Sequence, residues 1–193
     1  PPGPYMLFFL SDAGVPSLAS FILLVGVFPT AYLGAYTNGA NVQEVFDGDI
    51  VVDKIDTNCN VSLESKYGSI TIQDKCDQHC WVSLTAKKGK VTIGQKIDQH
   101  CIVIIDAEGD VNIGQKVDQN SQLTIVTDGN VNIGQKIDGN SSATITCSSG
   151  SIFIGQKVDG NSSATLTAPN GTITIVQKVN GNSIVNWQAI AFN

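Results

Sequence analysis

The chain has 193 residues, a net charge of −6, five cysteines, and eleven basic residues that are all lysine. The absence of arginine argues against nucleic-acid binding, since guanidinium forks are the preferred readers of phosphates and guanines. Abundant Gly, Asn, Ser and Thr with few aromatics exclude a large helical globule.

The first residues read PPGPYMLFFLSDAGVPSLASFILLV. A strand over Tyr5–Leu10, a turn at Ser11–Gly14 and a second strand over Leu18–Val25 make a hairpin. This stretch of about 25 residues, with its PPG-Y-MLF and GVPS runs, resembles the last hairpin of the galactose oxidase and glyoxal oxidase family. The resemblance includes none of that family's copper-binding His or Tyr, so it implies no oxidase activity and no cofactor. The segment from Gly14 to Gln43 is free of charge. Three readings compete for its apolar part: a membrane-spanning helix over Leu18–Tyr36, a signal sequence ending near Ala35 or Ala40, and a strand that caps the following domain or docks on another copy. Its Val, Ile, Phe and Tyr content favours strand. Residues 1–47 are therefore expected to be an apolar β appendage. The chain opens at Pro1 without Met, which fits a processed product or part of a longer protein.

From Gly48 the sequence repeats. Units begin at Gly48, Gly68, Gly89, Gly109, Gly129, Gly150 and Gly171, and the central ones read GKVTIGQKIDQHC, GDVNIGQKVDQNS and GNVNIGQKIDGNS. Counting from each glycine, positions 3, 5, 15 and 17 are apolar, position 9 is apolar, and polar residues lie between them. Period-two alternation in β-branched residues marks short half-buried strands, broken by turns at Gly-Gln and Asp-x-Asn. Twenty residues bury no core alone, so the units must stack. The fold class expected is all-β, a parallel β-solenoid of seven rungs over residues 48–193.

Stacking turns each position into a column at roughly 4.8 Å spacing. Lysine fills one column (Lys54, Lys75, Lys96, Lys116, Lys136, Lys157, Lys178) and aspartate another (Asp56, Asp77, Asp98, Asp118, Asp138, Asp159). Lying two residues apart, they are expected to form a charge-balanced pair of ladders on one outward face. Calcium on the aspartates and a polyanion- or glycan-binding stripe are the weaker alternatives. Asn58, His79, His100, Asn120, Asn140, Asn161 and Asn182 form a third column, read as inward, stacked amides with His in a structural role. Cys59, Cys80 and Cys101 lie in a fourth, within reach of a disulfide between adjacent rungs. Cys76, His79 and Cys80 have no second Cys/His pair at metal-ligand spacing, so no metal is assigned.

Four N-glycosylation sequons start at Asn60, Asn140, Asn161 and Asn170. An inward amide carries no sugar, which leaves Asn60 and Asn170 as the safer acceptors. Uniform rungs without long loops argue against an enzyme site. The expected function is a secreted, extracellular structural protein, glycosylated and polymerising end to end with itself because neither solenoid end is capped. The alternatives are a carbohydrate-active β-helix enzyme and an ice- or glycan-binding face built on Thr144/Thr146 and Thr165/Thr167.

Overall fold

The computed structural model describes residues 3–7, 20–24 and 27–192. Its strands stack in parallel as a β-solenoid of about eight turns. Each coil contributes a short strand such as Val91–Ile93, a brief ladder contact such as Ile97, and a six-residue strand such as Ile102–Ala107. Coils pair in register, residue on equivalent residue: Val91 with Ile70 and Val111, Leu84 with Leu63 and Ile105.

The core is a bundle of columns. Ile50, Ile70, Val91, Val111, Val131, Ile152 and Ile173 make one, and Val61, Val82, Val103, Leu123, Ala143 and Ala164 another; all are buried. Strand alternation puts these side chains on one face, and in-register stacking makes the apolar filling continuous along the axis. The leading glycine of each unit is required by packing, not by φ. A Cβ on Gly150 would sit 2.1 Å from the carbonyl oxygen of Gly129.

The solenoid begins earlier than Gly48, and this corrects the expected seven rungs and the boundary at residue 47. Ala31–Leu33 pairs with Ile50–Val52, Tyr36 bridges to Ile55, and Asn41–Phe46 pairs with Asn60–Ser65, all parallel. Phe28 stacks on Tyr67, ring centroids 4.8 Å apart. This first coil lacks the repeat's signature. It has Ala35 and Thr37 where the next six coils have Lys and Asp, and Glu44 where those six have Leu or Ile. The backbone pattern survives because the coil below templates its hydrogen bonds.

Upstream, Gly3–Leu7 and Ser20–Leu24 pair antiparallel. The described parts of the strands expected at Tyr5–Leu10 and Leu18–Val25 fall within this pair, the first strand starting at Gly3; the rest of both strands and the Ser11–Gly14 turn lie outside the described residues. Among the described residues no helix is long and apolar enough to cross a membrane.

Candidate functional site: the corner ladder, the long face and the two ends

One corner of every regular coil is built from four residues, Asp-x-[Asn/His]-[Cys/Ser]. The two middle residues have positive φ: Gln78 (57°) and His79 (62°), Gln99 (51°) and His100 (64°), Gly139 (61°) and Asn140 (60°). The amide of Ser141 donates to the carbonyl of Asp138 at 3.2 Å, closing a turn of the type I′ pattern. Left-handed backbone disfavours side chains with a Cβ, costing about 1–2 kcal/mol per residue. Asn and Gly suit it; Gln at the first position is tolerated under strain.

The aspartate holds this strained turn. Its Oδ1 accepts the next residue's amide, from Gln78 and Gln99 at 2.9 Å and from Gly139 and Gly160 at 2.8 Å. Its Oδ2 accepts the ammonium of the lysine two residues earlier, at 3.1 Å for Lys54–Asp56 and in closer contact for Lys75–Asp77, Lys96–Asp98, Lys116–Asp118, Lys136–Asp138 and Lys157–Asp159. The outward surface ladder expected for aspartate is therefore corrected. Asp56, Asp77, Asp98 and Asp118 are buried, with the lysines half-covering them. Alternation fails here because the turn folds the carboxylate back under its own amide. Burial opposes the charge on Asp56 and Asp138, but hydrogen bonds from Lys54 and Thr57, and from Lys136 and Gly139, hold both carboxyls below the usual range. The Lys157 hydrogen bond and the Gly160 amide do the same for Asp159.

The asparagine column turns outward, which corrects its inward reading. Asn140 and Asn161 are exposed, and Asn161 Nδ2 lies 3.4 Å from Asn140 Oδ1. His79 and His100, also exposed, stack with ring centroids 4.8 Å apart. Asn60 and Asn170 are exposed too; Asn170 Nδ2 donates to the Ser148 carbonyl at 2.9 Å.

The cysteine column is a hydrogen-bond ladder of free thiols in this structure. The amide of Cys59 donates to Cys80 Sγ (3.3 Å), that of Cys80 to Cys101 Sγ (3.4 Å), and that of Cys101 to Ser121 Oγ (3.2 Å). Ser121, Ser141 and Ser162 continue it to Ser183 Oγ. The thiols of Cys59 and Cys80 donate in turn to the carbonyls of Asp56 and Asp77, both at 3.0 Å. Cys76 and Cys147 are separately buried. Burial drives Cys76 far above an ordinary thiol and pushes Cys147 up to about 11.

The six-residue strands present a flat outward face. Trp81, Ile102 and Ile104 are exposed there, beside the in-register threonines Thr124, Thr144 and Thr165. Among the described residues no group of three or more His, Cys, Asp or Glu could hold a metal ion.

The two ends differ. At the tail, Ile184–Phe192 pairs with Ser163–Ile175 through one edge, and Ile184, Trp187 and Ile190 are exposed. At the head, Glu44 occupies a core column. Residues 29–67 carry six carboxylates against two lysines, net −4, while residues 150–193 carry two lysines against one aspartate, net +1. The sequence reading missed the first coil, and with it Glu44. Counting back 19 residues from Leu63, one coil length, would have found it.

Comparison with protein-family models, curated proteins and solved structures found no match for this chain.

Proposed function

We propose that this protein is a non-enzymatic structural solenoid that is secreted, joins head to tail with copies of itself, and carries N-linked glycans on its exposed asparagines. The observation that carries the reading is the tail. Among the described residues the strand Ile184–Phe192 pairs through one edge, and the core columns reach it at Val185, Trp187 and Ala189, in the register that runs through every coil back to Asn41–Phe46. A copy translated along the axis would continue that register, and a heterologous contact of this kind extends without closing. The acidic head and the slightly basic tail favour this polarity over head-to-head contact.

Other features support a structural role. Coil lengths run only from 19 to 21 residues, and each ladder aspartate is engaged by its own lysine and turn. The sequons at Asn60, Asn140, Asn161 and Asn170 all start on exposed residues, so glycans would coat the rod without entering the core.

Sedimentation and negative-stain imaging across protein concentration and pH test the reading. Rods should lengthen along their axis, and Val185→Lys with Ala189→Lys, which put charge in the core columns at the tail, should abolish lengthening while leaving the β-sheet circular dichroism intact. A monomer under every condition overturns it. A second reading, a glycan-binding long face, is favoured by exposed Trp81 beside Ile102. Loss of carbohydrate retention in Trp81→Ala would select it.

A further inference from the structure

One interior column runs the whole length of the solenoid: Glu44, Leu63, Leu84, Ile105, Ile125, Ile145, Leu166 and Trp187. Its six middle members are buried aliphatics. Glu44 shares its facing with Val42 and Phe46, the half-buried positions of its strand. An acid is thus aimed into the core at the one coil whose upper side has no further coil among the described residues. Inward-pointing charge is a device by which natural sheets keep an edge from pairing.

The surroundings of Glu44 are nearly apolar. The Tyr36 hydroxyl, itself in an interior column above Ile55, donates to its Oε2 at 3.3 Å. Burial, then the charge of Glu44 and this hydrogen bond, push Tyr36 up to about 12. From the strand below, Leu63 faces Glu44 in the column, while Glu64 turns outward to Lys87 at 2.7 Å. Ala31 and Leu33 come from the short strand of the same coil. Lys66 is engaged at another corner by Asp47 at 2.9 Å. Among the described residues no lysine pairs with Glu44. On the approaching tail of a second copy, the same column ends in Trp187, and the only charge of the last coil, Lys178, belongs to the outer lysine column. A joint made with Glu44 ionised would enclose a carboxylate between Leu63 and Trp187, with neutral donors, the Tyr36 hydroxyl and the indole N–H, and no cation to balance it. Burying a charge without a counter-ion is strongly unfavourable.

We propose that Glu44 gates the head-to-tail joint: ionised, it closes the head to the tail of a second copy; neutralised by a proton, it lets the joint form. This rests on the head-to-tail reading above, and makes that assembly acid-triggered. Asp56, Asp138 and Asp159 of the corner ladder are held below the usual carboxylate range, so mild acid leaves these three charged.

The test compares the full chain with Glu44→Gln, and with Glu44→Met as a second neutral variant, by sedimentation velocity from neutral to acidic pH. Wild type should be monomeric at neutral pH and lengthen on acidification. The neutral variants should assemble at neutral pH, with an apparent dissociation constant at least tenfold below that of wild type and little further response to acid. If wild type assembles at neutral pH as readily as Glu44→Gln, or the variants keep the wild-type pH response, the gate is overturned while the head-to-tail reading stands. If neither wild type nor the variants assemble at any pH, the head-to-tail reading itself falls, and the gate with it.

Discussion

Lys96 donates to an Asp98 carboxylate from which solvent is excluded: the lysine side chain is a quarter exposed, the aspartate side chain 0 %. Removing the lysine leaves a buried charge; removing the carboxylate's charge does not. Lys96→Met should therefore destabilise by about 3 kcal/mol or more, the cost typical of breaking a buried pair from one side. Asp98→Asn keeps an oxygen for the Gln99 amide and should cost less, about 1–2 kcal/mol. Denaturant titration of both single variants and the double variant measures the difference. Equal losses from the two single variants would contradict the burial argument.

The pH dependence of stability has a definite sign. The carboxyls of Asp56, Asp138 and Asp159 lie lower in the folded chain than their ordinary value of 3.8. Their contribution is then fully present above the unfolded value and is lost as pH falls through the folded ones. At protein concentrations where the chain stays monomeric, thermal denaturation should show a melting temperature flat in mild acid and falling below about pH 4. A loss that begins near neutrality would point to other groups.

The thiol column predicts equivalence of cysteine and serine. Cys80→Ser should be near neutral, since Ser121 and Ser141 accept the same inter-coil amide. Cys80→Ala leaves the Cys59 amide unanswered and should cost about 1–3 kcal/mol. A thiol reagent should count few reactive cysteines in the native chain and five after unfolding, with or without prior reductant. A reductant-dependent count would mean that a bridge forms after all.

Gly150→Ala should be among the most damaging small changes, at about 3 kcal/mol or more, because the added methyl meets the Gly129 carbonyl and no flexible side chain. Comparing it with Ala at Gly34, where a Cβ meets nothing within 4 Å, controls for the loss of glycine itself.

Most of the core was legible because alternation and repetition reinforce each other. Val91, Ile93, Val103 and Ile105 are inward in one coil, and the same positions are inward in the next. The aspartates were misread because that rule holds only within strands. At the corner, Ile97 and Asp98 are consecutive and both buried, since two left-handed residues follow and curl the carboxylate inward. The cysteines looked like bridges because spacing alone allows one, whereas the direction of the amide hydrogen bonds determines what each sulfur does. The first coil was illegible for another reason. Ala35, Thr37 and Glu44 erase the motif, and its shape depends on hydrogen bonds from the coil beneath rather than on its own residues.

In-register stacking also makes length a separable trait. Each coil touches only its neighbours, and every coil end offers the same columns. Excising residues 109–128 would bring Glu108 against Gly129 and restore each column one place along. The rod would shorten by about 4.8 Å with both ends unchanged. Duplicating the same unit would lengthen it by that step. Tandem gain and loss of a twenty-residue module could thus tune such a rod like the marks on a ruler, with the head and tail surfaces inherited intact whatever the span between them.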